Sequence, residues 1–233
     1  MSRKTSMIAI AATVCALGAT GLGIAAFAQQ TQAPSMPADL ARMAEAAHAR
    51  MAEAAQSPEN AIRSRELPEY TAAGELILPK NWHEWVFVGS PLTPNALNGG
   101  HAGFPEYHNV YIEPGSYAIY KKTGVFPNGT IFFKELQLTL PPAEFSDGSR
   151  TEPSGRGYFP GAFNGADVTV KDTQRFAATG GWGYFDFNHY EPKAATAAAQ
   201  PKSNCAFCHI AGAKRDEVWT QFYRILDEVP APH

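Results

Sequence analysis

The sequence predicts a mainly β (α+β) fold, an antiparallel sheet packed with short helices and closed by a C-terminal helix. Three observations carry this. From about Glu66 onward, aromatic and β-branched residues fall in short runs broken by Pro, Gly and Asn, which is the punctuation of strands and turns. The longest run, Thr130 to Leu140, alternates with a period of two. After residue 203 the chain reads as helical, Ser203 or Asn204 being placed to cap a helix starting near Cys205.

Taken in order, residues 1–28 read as a secretory signal. Arg3 and Lys4 open it, Met7 to Phe27 is apolar and Ala/Gly-rich, and Ala26-Phe27-Ala28 offers a small-x-small cleavage site. The mature chain is therefore expected to be exported, to the periplasm, without stable membrane association. Residues 29–66 form an Ala-rich arm. Its composition predicts a helix from Pro37 to about Gln56, with too thin an apolar face to build a core. Residues 67–233 make one domain. Expected strands are Trp85–Gly89, Asn109–Glu113, Thr130–Leu140, Asp167–Lys171 and Trp182–Tyr190. Helices are expected at Pro114–Thr123, opened by a helix-compatible proline, and at Asp172–Ala178. Residues 141–157 read as a long irregular loop and 191–203 as a connector. Val218, Phe222, Ile225 and Leu226 carry helical spacing at the end.

The formal net charge is −3 with no basic cluster, and losing Arg3 and Lys4 makes the mature chain more acidic. That balance argues against nucleic acid or an anionic membrane as partner. Of three cysteines, Cys15 leaves with the signal, so only Cys205 and Cys208 remain.

These two belong to Cys205-Ala206-Phe207-Cys208-His209. Thiols at i and i+3 share one helix face, so both can bond one edge of a porphyrin, and the adjacent imidazole can reach the iron. The pattern predicts covalently attached haem c with His209 as axial ligand. A second ligand is less evident. No methionine lies in the strand-rich domain, and His83, His101, His108 and His189 are scattered through it, with His48 and His233 outside its core. An open sixth position follows, and with it chemistry or gas binding. Lys134 is the other clue. Alternation sets it in a row with Phe132, Leu136, Leu138 and Leu140, where a cation must be paired, neutralised, chemically consumed or led to water.

Over about residues 68–227 the chain resembles the cytochrome P-460 family. The resemblance lies in Leu78-Pro79-Lys80-Asn81-Trp82, Val88-Gly89, Thr93-Pro94-Asn95, Val110-Tyr111, Thr123-Gly124, Gly129-Thr130 leading to Lys134-Glu135-Leu136, Gly157-Tyr158-Phe159, Val170-Lys171-Asp172 and the terminal Cys205 to His209. It implies a mainly antiparallel β fold, a homodimer, and a lysine bonded to a porphyrin meso carbon, here Lys134. It also implies oxidation of hydroxylamine and nitric oxide, with electrons passed to an acceptor the sequence does not identify. The family's distal glutamate corresponds to Asp167, one methylene shorter. The related cytochrome c′-β proteins lack the lysine bond and bind nitric oxide or carbon monoxide beneath aromatic caps. Phe132, Phe133 and Phe159 are the candidates for that role here.

Overall fold

The computed structural model describes residues 64–187 and 194–231, together with Asp39, Arg42, Met43, Glu45 and Ile62. The signal segment, its cleavage site at Ala28, most of the arm, and His48, His189 and His233 lie outside the described residues. The chain divides into two units, 1–47 and 48–233. In the first, Asp39, Arg42, Met43 and Glu45 are helical and exposed, in line with the expected helix. All that follows concerns the second.

In chain order the strands are β1 (Leu76–Ile77), β2 (Val86–Gly89), β3 (Tyr107–Ile112), β4 (Ile131–Thr139), β5 (Arg150–Glu152), β6 (Gly155–Gly157), β7 (Pro160–Lys171), β8 (Trp182–Asp186) and β9 (Thr196–Ala197). The α-helices are α1 (Pro114–Thr123), α2 (Ala206–Gly212) and α3 (Arg224–Asp227). One five-stranded antiparallel sheet, ordered β2-β3-β4-β7-β8, organises the domain. The fold is mainly antiparallel β with few short helices, as the sequence predicts.

Both faces of this sheet are covered. Val110, Ile112, Phe132, Trp182 and Tyr184 bury one face against Tyr120 of α1, Ala206 of α2, Val218 and Leu226. Ile131, Phe133, Val168, Val170 and Phe185 bury the other against Leu76, Trp85, Phe176 and Ala197. A strand buried on two sides reads as a continuous apolar run. Ile131-Phe132-Phe133 is such a run, with Phe132 on one face and Ile131 and Phe133 on the other, as the alternation predicts. Register shifts after Leu136 and after Gln137 then interrupt the pleat. Leu138 and Leu140, expected in the apolar row, are 37% and 36% exposed.

The α1 helix forms where Pro114 predicts it. The Glu113 carboxylate accepts from the Gly115 and Ser116 N–H groups at 2.9 and 2.6 Å, and Gly124 ends the helix at φ 72°. Other expectations need correcting. Residues 172–178 make no α-helix: the Asp172 side chain accepts from the Gln174 and Arg175 N–H groups, and a 3₁₀ turn follows at Ala177–Thr179. The left-handed pair Gly180 and Gly181 then turns the chain into β8. The supposed loop 141–157 contains the β5–β6 hairpin, and the supposed connector contains β9, which pairs with β1. The final segment is a 3₁₀ turn at Thr220–Phe222 followed by α3, and Phe222 is 61% exposed.

Candidate haem site

Helix α2 starts at Ala206 with Cys205 at its N-cap and no side-chain cap. Ser203 and Asn204 do not cap it. Backbone does so instead, the Phe207 N–H reaching the Lys202 carbonyl at 3.1 Å, while Asn204 turns to Gln200. Ala206 is fully buried and fixes the helix against the sheet. Cys205 is half-buried and Cys208 exposed, and both are free thiols. Burial, then the Asp167 carboxylate, pushes the Cys205 thiol up.

His209 is held on both ring nitrogens. Nδ1 lies 2.8 Å from the Glu217 carbonyl. A carbonyl only accepts, so Nδ1 carries the proton and Nε2 the lone pair. The Trp219 Nε1–H, which only donates, meets Nε2 at 3.4 Å and agrees with that tautomer. The ring packs against Tyr184 at 4.7 Å and Trp219 at 5.5 Å between centroids. Burial lowers its pKa, with the Glu217 hydrogen bond acting the other way. The imidazole is thus neutral and oriented, as a metal ligand must be. Burial beside Glu217 and Cys205 pushes the Tyr184 phenol far above its ordinary value, and burial beside Asp216 raises Glu217.

These groups open on a cavity of about 450 Å³, within the range of cofactor pockets. Its walls are largely apolar, with Val110, Phe132, Phe185 and Trp219 among them. Lys134 and Asp167 also line it. They are directly opposed across β4 and β7, and Lys134 Nζ lies 2.6 Å from Asp167 Oδ2. Their side chains are 23% and 21% exposed. Lys134 Nζ further sits 4.2 Å above the Phe104 ring. The cation that alternation placed on an apolar face is therefore paired with a carboxylate in this structure.

All five site residues drawn from the sequence, Lys134, Asp167, Cys205, Cys208 and His209, meet at this one cavity. Of the other described histidines, His108 lines it, whereas His83 stacks on Trp82 and His101 lies exposed in a turn. Of the aromatic cap candidates only Phe132 lines it. Phe133 faces the opposite core, stacked on Trp82 at 4.4 Å, and Phe159 is not among the lining residues. Sequence reasoning missed Phe104, Tyr184, Glu217, Trp219 and Tyr223. Tyr184 was accessible, since strand parity puts it on the same face as Lys134; the others come from turns and loops.

The donor set fits haem c. Two free thiols at i and i+3, a neutral imidazole with its Nε2 lone pair held by orientation, and an apolar cavity suit a tethered porphyrin. Cys205 and Cys208 would hold it by thioether bonds and His209 would ligate its iron. No curated protein matches the chain. Residues 79–220, more than half of it, match the Cytochrome P460 family. With that match over the sheet and the haem-attachment helix, the chain belongs to the cytochrome P460 family of haem proteins.

Proposed function

We propose that the protein is an exported mono-haem c-type cytochrome that oxidises hydroxylamine, and nitric oxide, at an open haem site. Lys134 is joined to the macrocycle in its mature form. The observation that carries this reading is the convergence of Lys134 and Asp167 with Cys205, Cys208 and His209 in the lining of one cavity. Bound there, haem supplies a redox-active iron that takes electrons from a coordinated nitrogen compound.

The chain's own residues do the rest. His209, hydrogen-bonded through Nδ1 to the Glu217 carbonyl, would hold the iron through Nε2, which here accepts from the Trp219 Nε1–H. Oxidation of hydroxylamine releases protons along with electrons, so a proton acceptor is needed near the substrate. Asp167 is the carboxylate on the cavity wall and takes that role. Phe104, Phe132 and Phe185 exclude bulk water and strengthen every charge interaction inside. Electrons leave to a separate acceptor. Export to the periplasm and a homodimeric state complete the reading.

Intact mass and the optical spectrum of denatured holoprotein test it. A lysine bond leaves an altered, red-shifted chromophore after denaturation and removes hydrogen from the summed masses of chain and haem. A normal c-type spectrum supports a second reading, a five-coordinate binder of nitric oxide or carbon monoxide of the cytochrome c′-β kind. Two observations favour that alternative: the Lys134 ammonium engaged by Asp167, and Phe104 and Phe132 in the cavity.

A further inference from the structure

Residues Arg215 to Val218 form a two-residue turn, closed by the Val218 N–H on the Arg215 carbonyl at 2.9 Å and the Arg215 N–H on the Val218 carbonyl at 3.5 Å. Both central residues are left-handed, Asp216 at φ 47° and Glu217 at φ 58°, and they are the only non-glycine positive-φ residues among those described. A turn of this type ordinarily uses Asn-Gly or Asp-Gly, because a side chain in the second position is strained there. Such outliers persist where their surroundings over-determine them.

The surroundings here are specific. Lys171 Nζ reaches Asp216 Oδ1 at 2.5 Å, and the Trp182 Nε1–H points at the same oxygen at 3.4 Å. Lys171 and Trp182 face each other across β7 and β8, with the ammonium 5.0 Å from the Trp182 ring. The Lys171 side chain is 8% exposed. Its backbone is locked as well, its N–H on the Thr130 carbonyl and its carbonyl on the Gly129 N–H. Lys171 is thus a fixed post rising from the sheet. What the turn delivers at its tip is the Glu217 carbonyl, 2.8 Å from His209 Nδ1.

We propose that Lys171 is a positioning residue for the axial histidine: its ion pair with Asp216 holds the strained turn in the one conformation that aims the Glu217 carbonyl at His209. Lys171 is not among the residues that line the cavity. It acts through the hydrogen bond that fixes the tautomer and ring plane of His209 and raises its basicity. The proposal rests on the reading of His209 as iron ligand.

The test uses ferrous holoprotein of the wild type and of Lys171→Met, Lys171→Arg and Asp216→Asn, read by resonance Raman and by redox titration. Lys171→Met moves the iron–histidine stretch to lower wavenumber and raises the reduction potential, because a loosened Nδ1–H bond makes a weaker donor. Lys171→Arg keeps the charge and restores wild-type values. Asp216→Asn shifts both readings in the same direction as Lys171→Met, and carries the test if Lys171→Met does not accumulate folded. Variants that melt earlier but keep the wild-type stretch and potential overturn the proposal, leaving the pair a purely structural one. A wild-type protein without any iron–histidine band overturns the haem-ligation reading itself, and the proposal with it.

Discussion

Tyr223 offers a quantitative check on how the cavity wall is built. It is 8% exposed, lines the cavity, and lies so close to Gly89 that a Cβ there would meet its ring at 2.5 Å. Burial alone pushes its phenol up to about 12. The ordinary value, which the unfolded chain retains, is about 10. Between those values the unfolded chain loses its proton and the folded protein keeps it. A raised folded pKa therefore stabilises fully below pH 10, and that contribution is lost as pH rises toward 12. One unit corresponds to about 1.4 kcal/mol, so by pH 11 the native state should lose about 1.4 kcal/mol through this group. Tyr184 and Tyr120 add to the same trend, which makes a comparison necessary. Chemical denaturation of wild type and Tyr223→Phe at pH 9, 10 and 11 isolates the phenol. The stability difference should move in favour of the Phe variant by about 1.4 kcal/mol across that range. A difference that stays flat with pH refutes the buried phenol and the packing inferred for this wall.

Other expectations concern the site itself. Asp167→Asn should lower kcat for hydroxylamine by about 10²-fold with KM little changed; steady-state turnover within twofold of wild type removes Asp167 from the reaction. Lys134→Met removes the nitrogen that would be joined to the macrocycle and should give an ordinary c-type spectrum after denaturation, where the wild type keeps an altered chromophore. Cys205→Ser with Cys208→Ser, made in the Lys134→Met background, should yield protein whose pigment is removed by acidified organic solvent, whereas the wild type retains it. Gly212→Ala places a Cβ 2.6 Å from the Trp219 ring. Overpacking of that kind costs about 1–3 kcal/mol, and the displaced indole should change tryptophan fluorescence along with the urea midpoint.

How much of this was legible follows from where each element draws its stability. The haem motif reads at once because its spacing is dictated by the porphyrin. Helix α1 reads because Pro114 marks its start. The strand β4 was legible in its facing through Lys134, with Phe132 on one side and Ile131 and Phe133 on the other, but not in the register shifts after Leu136 that leave Leu138 and Leu140 exposed. Lys134 raised a question that only its cross-strand neighbour could answer: Asp167 lies 33 positions away in sequence and 2.6 Å away in space. The hairpin β5–β6 was hidden because it pairs only with itself, around a Pro153-Ser154 turn, outside the main sheet. The Asp216-Glu217 turn was hidden for a deeper reason. Local preference opposes it, and a residue of β7 enforces it.

The placing of that turn bears on how the site comes to exist at all. Helix α2 has seven residues, far below the length at which a helix is stable alone, and no side chain caps it. Its position comes from outside: Ala206 buried against the sheet, the Gln200 N–H on the Tyr184 carbonyl, and the His209 ring between Tyr184 and Trp219. Tyr184 belongs to β8, and Lys171, which secures the Glu217 carbonyl, belongs to β7. The His209 ring is therefore oriented by the same strands that carry Asp167 and complete the pairing of Lys134. A change of register between β7 and β8 would shift the carboxylate on the wall and the orientation of the imidazole together. The sheet is the common frame that places the Lys134–Asp167 pair and the His209 ring at one cavity, and it explains why a late, short helix suffices.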